Sequence, residues 1–210
     1  MSTIEQLSEA LQRGNAKEVT ALVQEALDNG VTAQRILDEG LLKGMGLLGV
    51  RFKNNEVFVP EVLIAARALN KGVELLKAKL IEEGVKPIGK VIIGTVKGDL
   101  HDIGKNLVKM MMEGAGFSVI DLGVDVSDES FVEAVKTHQP DILAMSALLT
   151  TTMNQMETVI NALSSAGLRD KVKVMIGGAP ITQSFCEQIG ADAYTPDAAS
   201  AAETAKTFVS

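Results

Sequence analysis

Up to about Glu83 the apolar residues of this chain recur three and four positions apart. Beyond Gly89 they gather in short unbroken runs, so the architecture changes once along the chain. Ser2-Thr3-Ile4-Glu5 has the form of a capping box and is followed by Leu7 and Leu11 on one helical face. Asn15 with Glu18 repeats the signal, and Val19, Leu22, Val23, Ala26 and Leu27 line a stripe that stops at Asn29-Gly30. Thr32 can cap a third helix carrying Ile36, Leu37, Leu41, Leu47 and Leu48. Pro60 suits the first turn of a fourth, with Leu63, Ala66, Leu69, Val73, Leu76 and Leu80 at helical spacing. Four amphipathic helices joined by short connections predict an antiparallel bundle over residues 1–86.

Gly84-Val85-Lys86-Pro87-Ile88-Gly89 breaks the helical pattern and reads as a linker and hinge. After it, apolar runs at Lys90–Val96, Phe117–Leu122, Asp141–Ser146, Lys171–Ile176 and Asp192–Tyr194 read as buried strands. Helical stretches around Ile103–Ala115, Asp128–Thr137, Met153–Ala166, Thr182–Gln188 and Ala198–Phe208 lie between and after them. The alternation predicts an α/β domain over 87–210, a doubly wound, five-stranded parallel sheet covered on both faces. Such sheets bind ligands beyond the carboxyl ends of their strands.

Composition narrows the function classes. Of the 210 residues 46% are hydrophobic and 22% charged, enough for packed cores under a polar surface. The formal charge of -7 argues against general attraction to nucleic acid or to an anionic membrane. The single cysteine, Cys186, excludes an internal disulfide and fits a reducing, cytoplasmic setting; it has no base beside it in sequence and reads as a buried small hydrophobe. Met1 to Glu9 lacks the charged start and apolar run of a signal peptide, and no stretch is long and apolar enough to span a bilayer.

Three fragments fall at the carboxyl edge of the predicted sheet. After the first strand comes Gly98-Asp99-Leu100-His101-Asp102-Ile103-Gly104, holding one of only two histidines in the chain. A carboxylate bonded to one ring nitrogen fixes the histidine tautomer and leaves the other nitrogen free to ligate a metal. Asp99 has a plainer reading as the cap of the helix that follows. After the third strand Ser146-Ala147-Leu148-Leu149-Thr150-Thr151-Thr152 forms a hydroxyl-rich turn. After the fourth, Gly177-Gly178 would let a bulky ligand lie against the backbone. His-Asp-Ile-Gly also occurs in metal-dependent phosphohydrolases, but those sites need several histidines, and only His138, in a helix–strand connection, remains. Asp125, Asp128 and Glu129 read as a solvated helix start. Met110, Met111 and Met112 run consecutively and read as core filling, and Gly44, Gly46 and Gly49 as points of close helix packing. No GxGxxG, Walker sequence or nucleophile elbow is present.

In this order and spacing the three fragments resemble the cobalamin-binding domain of methionine synthase and of B12-dependent mutases. Gly44-Met45-Gly46-Leu47-Leu48-Gly49-Val50-Arg51-Phe52 and Glu56-Val57-Phe58-Val59-Pro60-Glu61-Val62-Leu63 look like the helical cap of methionine synthase. A free-standing cap plus corrinoid domain resembles the small corrinoid proteins of methanol, methylamine and methoxyarene methyltransferase systems, and His101 through Asn106 is especially like that group. The resemblance implies cobalamin as cofactor, with His101 as the lower ligand to cobalt and Asp99 tuning it. Thr152 would stand where methionine synthase has a serine that completes the relay. Gly98, Leu100, Asp102, Ile103, Gly104, Ser146, Leu148, Thr150, Gly177 and Gly178 would line the cofactor groove. Phe58 is either a lid over the methyl-bearing face or an ordinary core residue.

The implied function is a methyl carrier. Cobalt accepts a methyl group as Co(I) from a substrate:corrinoid methyltransferase and gives it as methyl-Co(III) to a second methyltransferase. The acceptor would be tetrahydrofolate or coenzyme M, and a reductive activase would restore Co(I). The chain would not be an enzyme alone and would have neither nucleic acid nor membrane as partner. Two alternatives stand: a B12-binding light sensor or regulator, and the cobalamin-binding subunit of a mutase.

Overall fold

The computed structural model describes residues 2–210, which form two compact units: residues up to 87 with 114–116, and residues 88–113 with 117–210. The first unit is helical. In α1 (Thr3–Gln12) the Ser2 hydroxyl accepts the Glu5 N–H at 3.3 Å and the Glu5 carboxylate accepts the Ser2 N–H at 2.8 Å, which closes the capping box. Asn15 caps α2 (Ala16–Asp28) through the Glu18 N–H. The third helix runs without a break through α3 (Ala33–Arg35), a π-helical segment (Ile36–Leu42) and α4 (Lys43–Lys53). Its first amides, Ala33 and Gln34, donate to the Glu83 carboxylate at 2.8 and 2.9 Å, which ties it to the end of α5 (Val59–Glu82). Leu7, Leu11, Val23, Ile36, Leu41, Met45, Leu48, Leu69 and Leu76 fill the core between these helices.

The π-helical segment corrects one expectation. A spacing of 3.6 residues from Ile36 brings Leu47 onto the buried face. The wider turns absorb an extra residue, so the buried stripe passes through Gly44, Met45, Leu48 and Gly49 while Leu47 is 46% exposed. Gly44 is a point of close packing, since a Cβ there would come within 2.9 Å of the Ser8 carbonyl oxygen and Leu11. Gly46 is not, because it faces open space.

The second unit carries β1 (Lys90–Thr95), β2 (Ser118–Asp121), β3 (Ile142–Ser146), β4 (Lys173–Gly177) and β5 (Ala193–Tyr194) in one parallel sheet of order β2-β1-β3-β4-β5. The helices are α6 (Ile103–Gly114), α7 (Asp128–His138), α8 (Gln155–Ser165), α9 (Gln183–Ile189) and α10 (Ala198–Val209). Val91 to Thr95 are buried without alternation, as in a strand covered on both faces. Ile92, Val96, Phe131, Leu143, Met145, Val174 and Ile176 belong to its core. The fourth strand begins two residues later than its apolar run predicts. Residues Arg169–Lys171 form a 3-10 turn, held by Arg169 bonds to the Gly190 carbonyl at 2.6 Å and to Asp192 at 2.8 Å. Met111 and Met112 are buried, as core filling requires, and His138 is the last residue of α7.

From β1 the chain steps to β2 on one side and then crosses to β3 on the other. The loops leaving β1 and β3 therefore diverge, and the crevice between them is the topological switch point.

Candidate functional site

Two loops that diverge at a switch point need a tie, and Asp99 supplies it. Its side chain is 0% exposed, and it accepts five hydrogen bonds. On Oδ1 it takes the His101 ring Nδ1 at 2.7 Å and the His101 N–H at 3.1 Å. On Oδ2 it takes the Leu148 N–H at 2.8 Å, the Leu149 N–H at 3.3 Å and the Thr152 hydroxyl at 2.8 Å, all from the loop after β3. Burial pushes the Asp99 carboxyl up. The Leu148 N–H, the His101 ring and N–H and the Thr152 hydroxyl outweigh it and hold the group well below the usual carboxylate range. An ionised carboxylate only accepts, so Nδ1 carries the proton and Nε2 presents its lone pair. The Thr152 hydroxyl has the Leu149 carbonyl as a second acceptor at 3.0 Å, but the charged oxygen is the stronger one. The helix that follows begins at Ile103 with no bond from Asp99, so the capping reading of Asp99 falls away.

Nε2 has no hydrogen-bond partner among the described residues, and the His101 side chain is 51% exposed. Leu100 and Leu148, in the loops after β1 and β3, and Ile103, the first residue of α6, are apolar yet exposed, Leu100 by 71% and Ile103 by 77%. One available imidazole nitrogen, with exposed apolar side chains in the neighbouring segments, would suit a bulky apolar cofactor whose metal takes a single ligand from the protein. Among the described residues no three His, Cys, Asp or Glu side chains converge on a metal position, so the phosphohydrolase reading lacks its ligand set.

The remaining predicted residues divide. Gly98 takes a φ of +81° and donates its N–H to Asp125 Oδ1 at 2.7 Å. Ser146 ends β3 and its carbonyl accepts the Val96 N–H at 3.0 Å. Asp102 and Gly104 are exposed at the start of α6, where the Asp102 carboxylate accepts from the Asn106 amide at 3.0 Å. Thr150 is exposed. At the Gly-Gly turn the reason for glycine differs from the one the sequence suggests. A Cβ on Gly177 would make ordinary contact, whereas one on Gly178 (φ +135°) would collide with the Ala147 carbonyl oxygen. Gly178 makes room for the chain's own backbone. Phe58 belongs to the helical unit and is 63% exposed, so its core reading is wrong.

Three participants escaped the sequence reading. Asp125 is no solvated helix start: at φ +53° it holds Gly98 through its carboxylate and donates its N–H to the Asp99 carbonyl at 3.0 Å. Only Asp128 and Glu129 lie in the first turn of α7, which Ser127 caps. Lys105 is 2% exposed and reaches both carboxylate oxygens of Asp121, at 2.6 and 2.7 Å. Burial raises the Asp121 carboxyl, but Lys105 and the Gly123 N–H hold it below the ordinary range. The pair ties the start of α6 to the end of β2. Thr95, the third, is the one hydroxyl in the first apolar run, which is the signal that could have found it.

Cys186 is 2% exposed, and burial, with Glu187 and Asp192 nearby, pushes its thiol up. It is expected to resist a thiol reagent at pH 8 in the native protein and to react at once in denaturant; fast native labelling would contradict its placement.

Fold and site together define a cofactor-binding α/β protein that offers one oriented imidazole at a switch point. Residues 89–205 match the B12 binding domain family, and residues 3–77 match a second B12 binding domain family. The chain belongs to the B12-binding family, and cobalamin is its cofactor. Within it, this is a corrinoid protein of the kind found in methyltransferase systems. It is 41% identical to the dimethylamine corrinoid protein of Methanosarcina barkeri over 208 residues, 98% of this chain and 97% of that one. It is 43% identical to trimethylamine corrinoid protein 1 of Methanosarcina acetivorans over 175 residues, 82% and 81% of the two chains. The crystal structure of the methanol:cobalamin methyltransferase complex from Methanosarcina barkeri aligns with a TM-score of 0.89 at 31% identity, covering 99% of this chain and 79% of that one.

Proposed function

We propose that this protein carries methyl groups between two methyltransferases, with His101 as the ligand it offers to the cobalt of cobalamin. The single observation that carries the reading is the Asp99–His101 pair, which holds Nδ1 at 2.7 Å and leaves Nε2 without a partner among the described residues. Bound cobalamin would supply a metal centre able to accept and release a methyl group. The chain's own residues would do the rest. Asp99 keeps the Nδ1 proton and so raises the electron density at Nε2. Thr152 and the Leu148 N–H hold its carboxylate in place. Leu100, Ile103, Ser146, Leu148, Thr150, Gly177 and Gly178 would form the groove that receives the cofactor.

Residues 1–86 would serve as the cap domain and 87–210 as the cobalamin-binding domain, with Phe58 on the cap. The two matched families cover 3–77 and 89–205, and the groups that activate a methyl donor would come from a partner. That partner is a substrate:corrinoid methyltransferase, as the methanol:cobalamin methyltransferase complex suggests. A second methyltransferase would pass the methyl group to tetrahydrofolate or coenzyme M, and a reductive activase would service the metal. Relatives named for dimethylamine and for trimethylamine are about equally similar to this chain, and the donor would be chosen by the partner. Among the described residues no helix is long and apolar enough to cross a membrane, and one cysteine suits a reducing, cytoplasmic setting. The mutase reading gives no role to the helical unit, and no observation favours the light sensor.

The test is the absorption spectrum of the protein reconstituted with hydroxocobalamin, beside His101→Ala, through reduction and methylation. The native chain should bind the corrinoid with the cofactor's own base displaced and should turn over with a methyl-donor system. His101→Ala should lose the histidine-dependent spectrum while keeping most of its corrinoid. A spectrum indifferent to His101 would sink the ligand assignment.

A further inference from the structure

Thr95 closes β1 and is wholly buried. A buried hydroxyl needs a partner, and this one donates to the His101 carbonyl at 2.9 Å. The backbone of Thr95 is held independently, its N–H on the Gly123 carbonyl at 2.9 Å and its carbonyl by the Val126 N–H at 3.0 Å. The strand end therefore stays in place without the hydroxyl, and what the hydroxyl fixes is the histidine.

The polar groups of His101 make the consequence plain. Its N–H and Nδ1 both go to Asp99, which anchors the ring to the amino-terminal side of the residue. Its carbonyl goes to Thr95, on the side where the loop turns into α6. Only Nε2 is left. With the backbone held on both sides, the Cα–Cβ bond has one direction, and so has the free nitrogen. We infer that Thr95 is a positioning residue for the metal-facing histidine, its hydroxyl setting the direction of Nε2 through the His101 carbonyl. The inference rests on the reading that His101 ligates cobalt.

Removing the hydroxyl should cost coordination before it costs the fold. Thr95→Val keeps the shape and loses the donor; Thr95→Ala and Thr95→Ser differ from each other by one oxygen atom. Each variant, with the native chain and His101→Ala, is loaded with hydroxocobalamin. Histidine coordination is read from the absorption spectrum, and from nitrogen splitting in the paramagnetic resonance spectrum of the Co(II) form. Unfolding of the cobalamin-free proteins is followed by circular dichroism. Thr95→Val and Thr95→Ala are expected to weaken histidine coordination roughly three- to tenfold, the worth of one hydrogen bond, while still binding the corrinoid. Thr95→Ser should restore it. A hydroxyl that is merely satisfied by the nearest carbonyl would shift the unfolding midpoint and leave coordination unchanged. Equal coordination in Thr95→Ala and Thr95→Ser would overturn the positioning role, and that pair decides the matter even if Thr95→Val does not fold. A native spectrum that ignores His101 would overturn the ligand assignment itself, and with it any role of Thr95 toward cobalt.

Discussion

Asp99→Ala is expected to destabilise the cobalamin-free protein by about 3 kcal/mol or more, the cost of leaving several buried donors without an acceptor. The Leu148 N–H and the His101 N–H would lose the carboxylate they share, and Thr152 would keep only the Leu149 carbonyl. The loops after β1 and β3 would then be tied by little beyond the Val96–Ser146 backbone bond. The variant should also lose histidine coordination, because nothing would hold the Nδ1 proton. Urea unfolding monitored by circular dichroism measures the first effect, and an unchanged midpoint would show that the tie is not what holds the loops. The pH dependence has a definite sign. Folding lowers the Asp99 pKa, so its contribution is complete above about pH 5, where an unfolded aspartate is almost wholly ionised. It fades as pH falls below that toward the native value. Asp99→Asn should accordingly flatten the acid limb of the stability profile.

Gly178→Ala is the second large effect. At φ +135° a side chain is strained whatever space surrounds it, and here the Cβ would meet the Ala147 carbonyl oxygen, a backbone atom at the exit of β3 that cannot turn aside. Strain and overlap together should cost roughly 2–5 kcal/mol. The relief available is to push the Gly-Gly turn away from β3, which breaks the Ala147 N–H bond to the Gly177 carbonyl at 3.2 Å. Gly177→Ala is the control, because its Cβ would rest 3.7 Å from the Thr195 carbonyl oxygen, an ordinary contact. If both alanine variants unfolded at the same urea concentration, the collision would not be the reason for the glycine.

The helical half was legible where local chemistry decides structure. Ser2 with Glu5, Asn15 with Glu18, Thr32 and Pro60 each mark a helix start whose cap is closed by residues within three positions. The exposure of Leu47 was not legible because a change of helical pitch has no sequence signal of its own. In the α/β half, unbroken apolar runs identified the strands, and alternation with helices implied their parallel arrangement. The order β2-β1-β3-β4-β5 is a property of how the strands assemble.

The same division holds at the site. By itself the sequence determined which residue offers a nitrogen and which carboxylate stands two positions before it, because an aspartate so close to a histidine can reach its ring within one loop. Thr152 was singled out only by the resemblance to methionine synthase, which implies a hydroxyl at that position; the structure puts its hydroxyl 2.8 Å from Asp99. Only the tertiary structure decided that Asp99 is buried and ionised, since its acceptor duties come from amides about 50 residues away on a neighbouring loop. It likewise decided that Asp125 grips Gly98 and that Thr95 grips the His101 carbonyl. Those bonds join chain segments whose meeting is set by the strand order. A hydrogen bond between distant segments leaves no spacing in the sequence, because its geometry exists only once the sheet has placed both ends side by side.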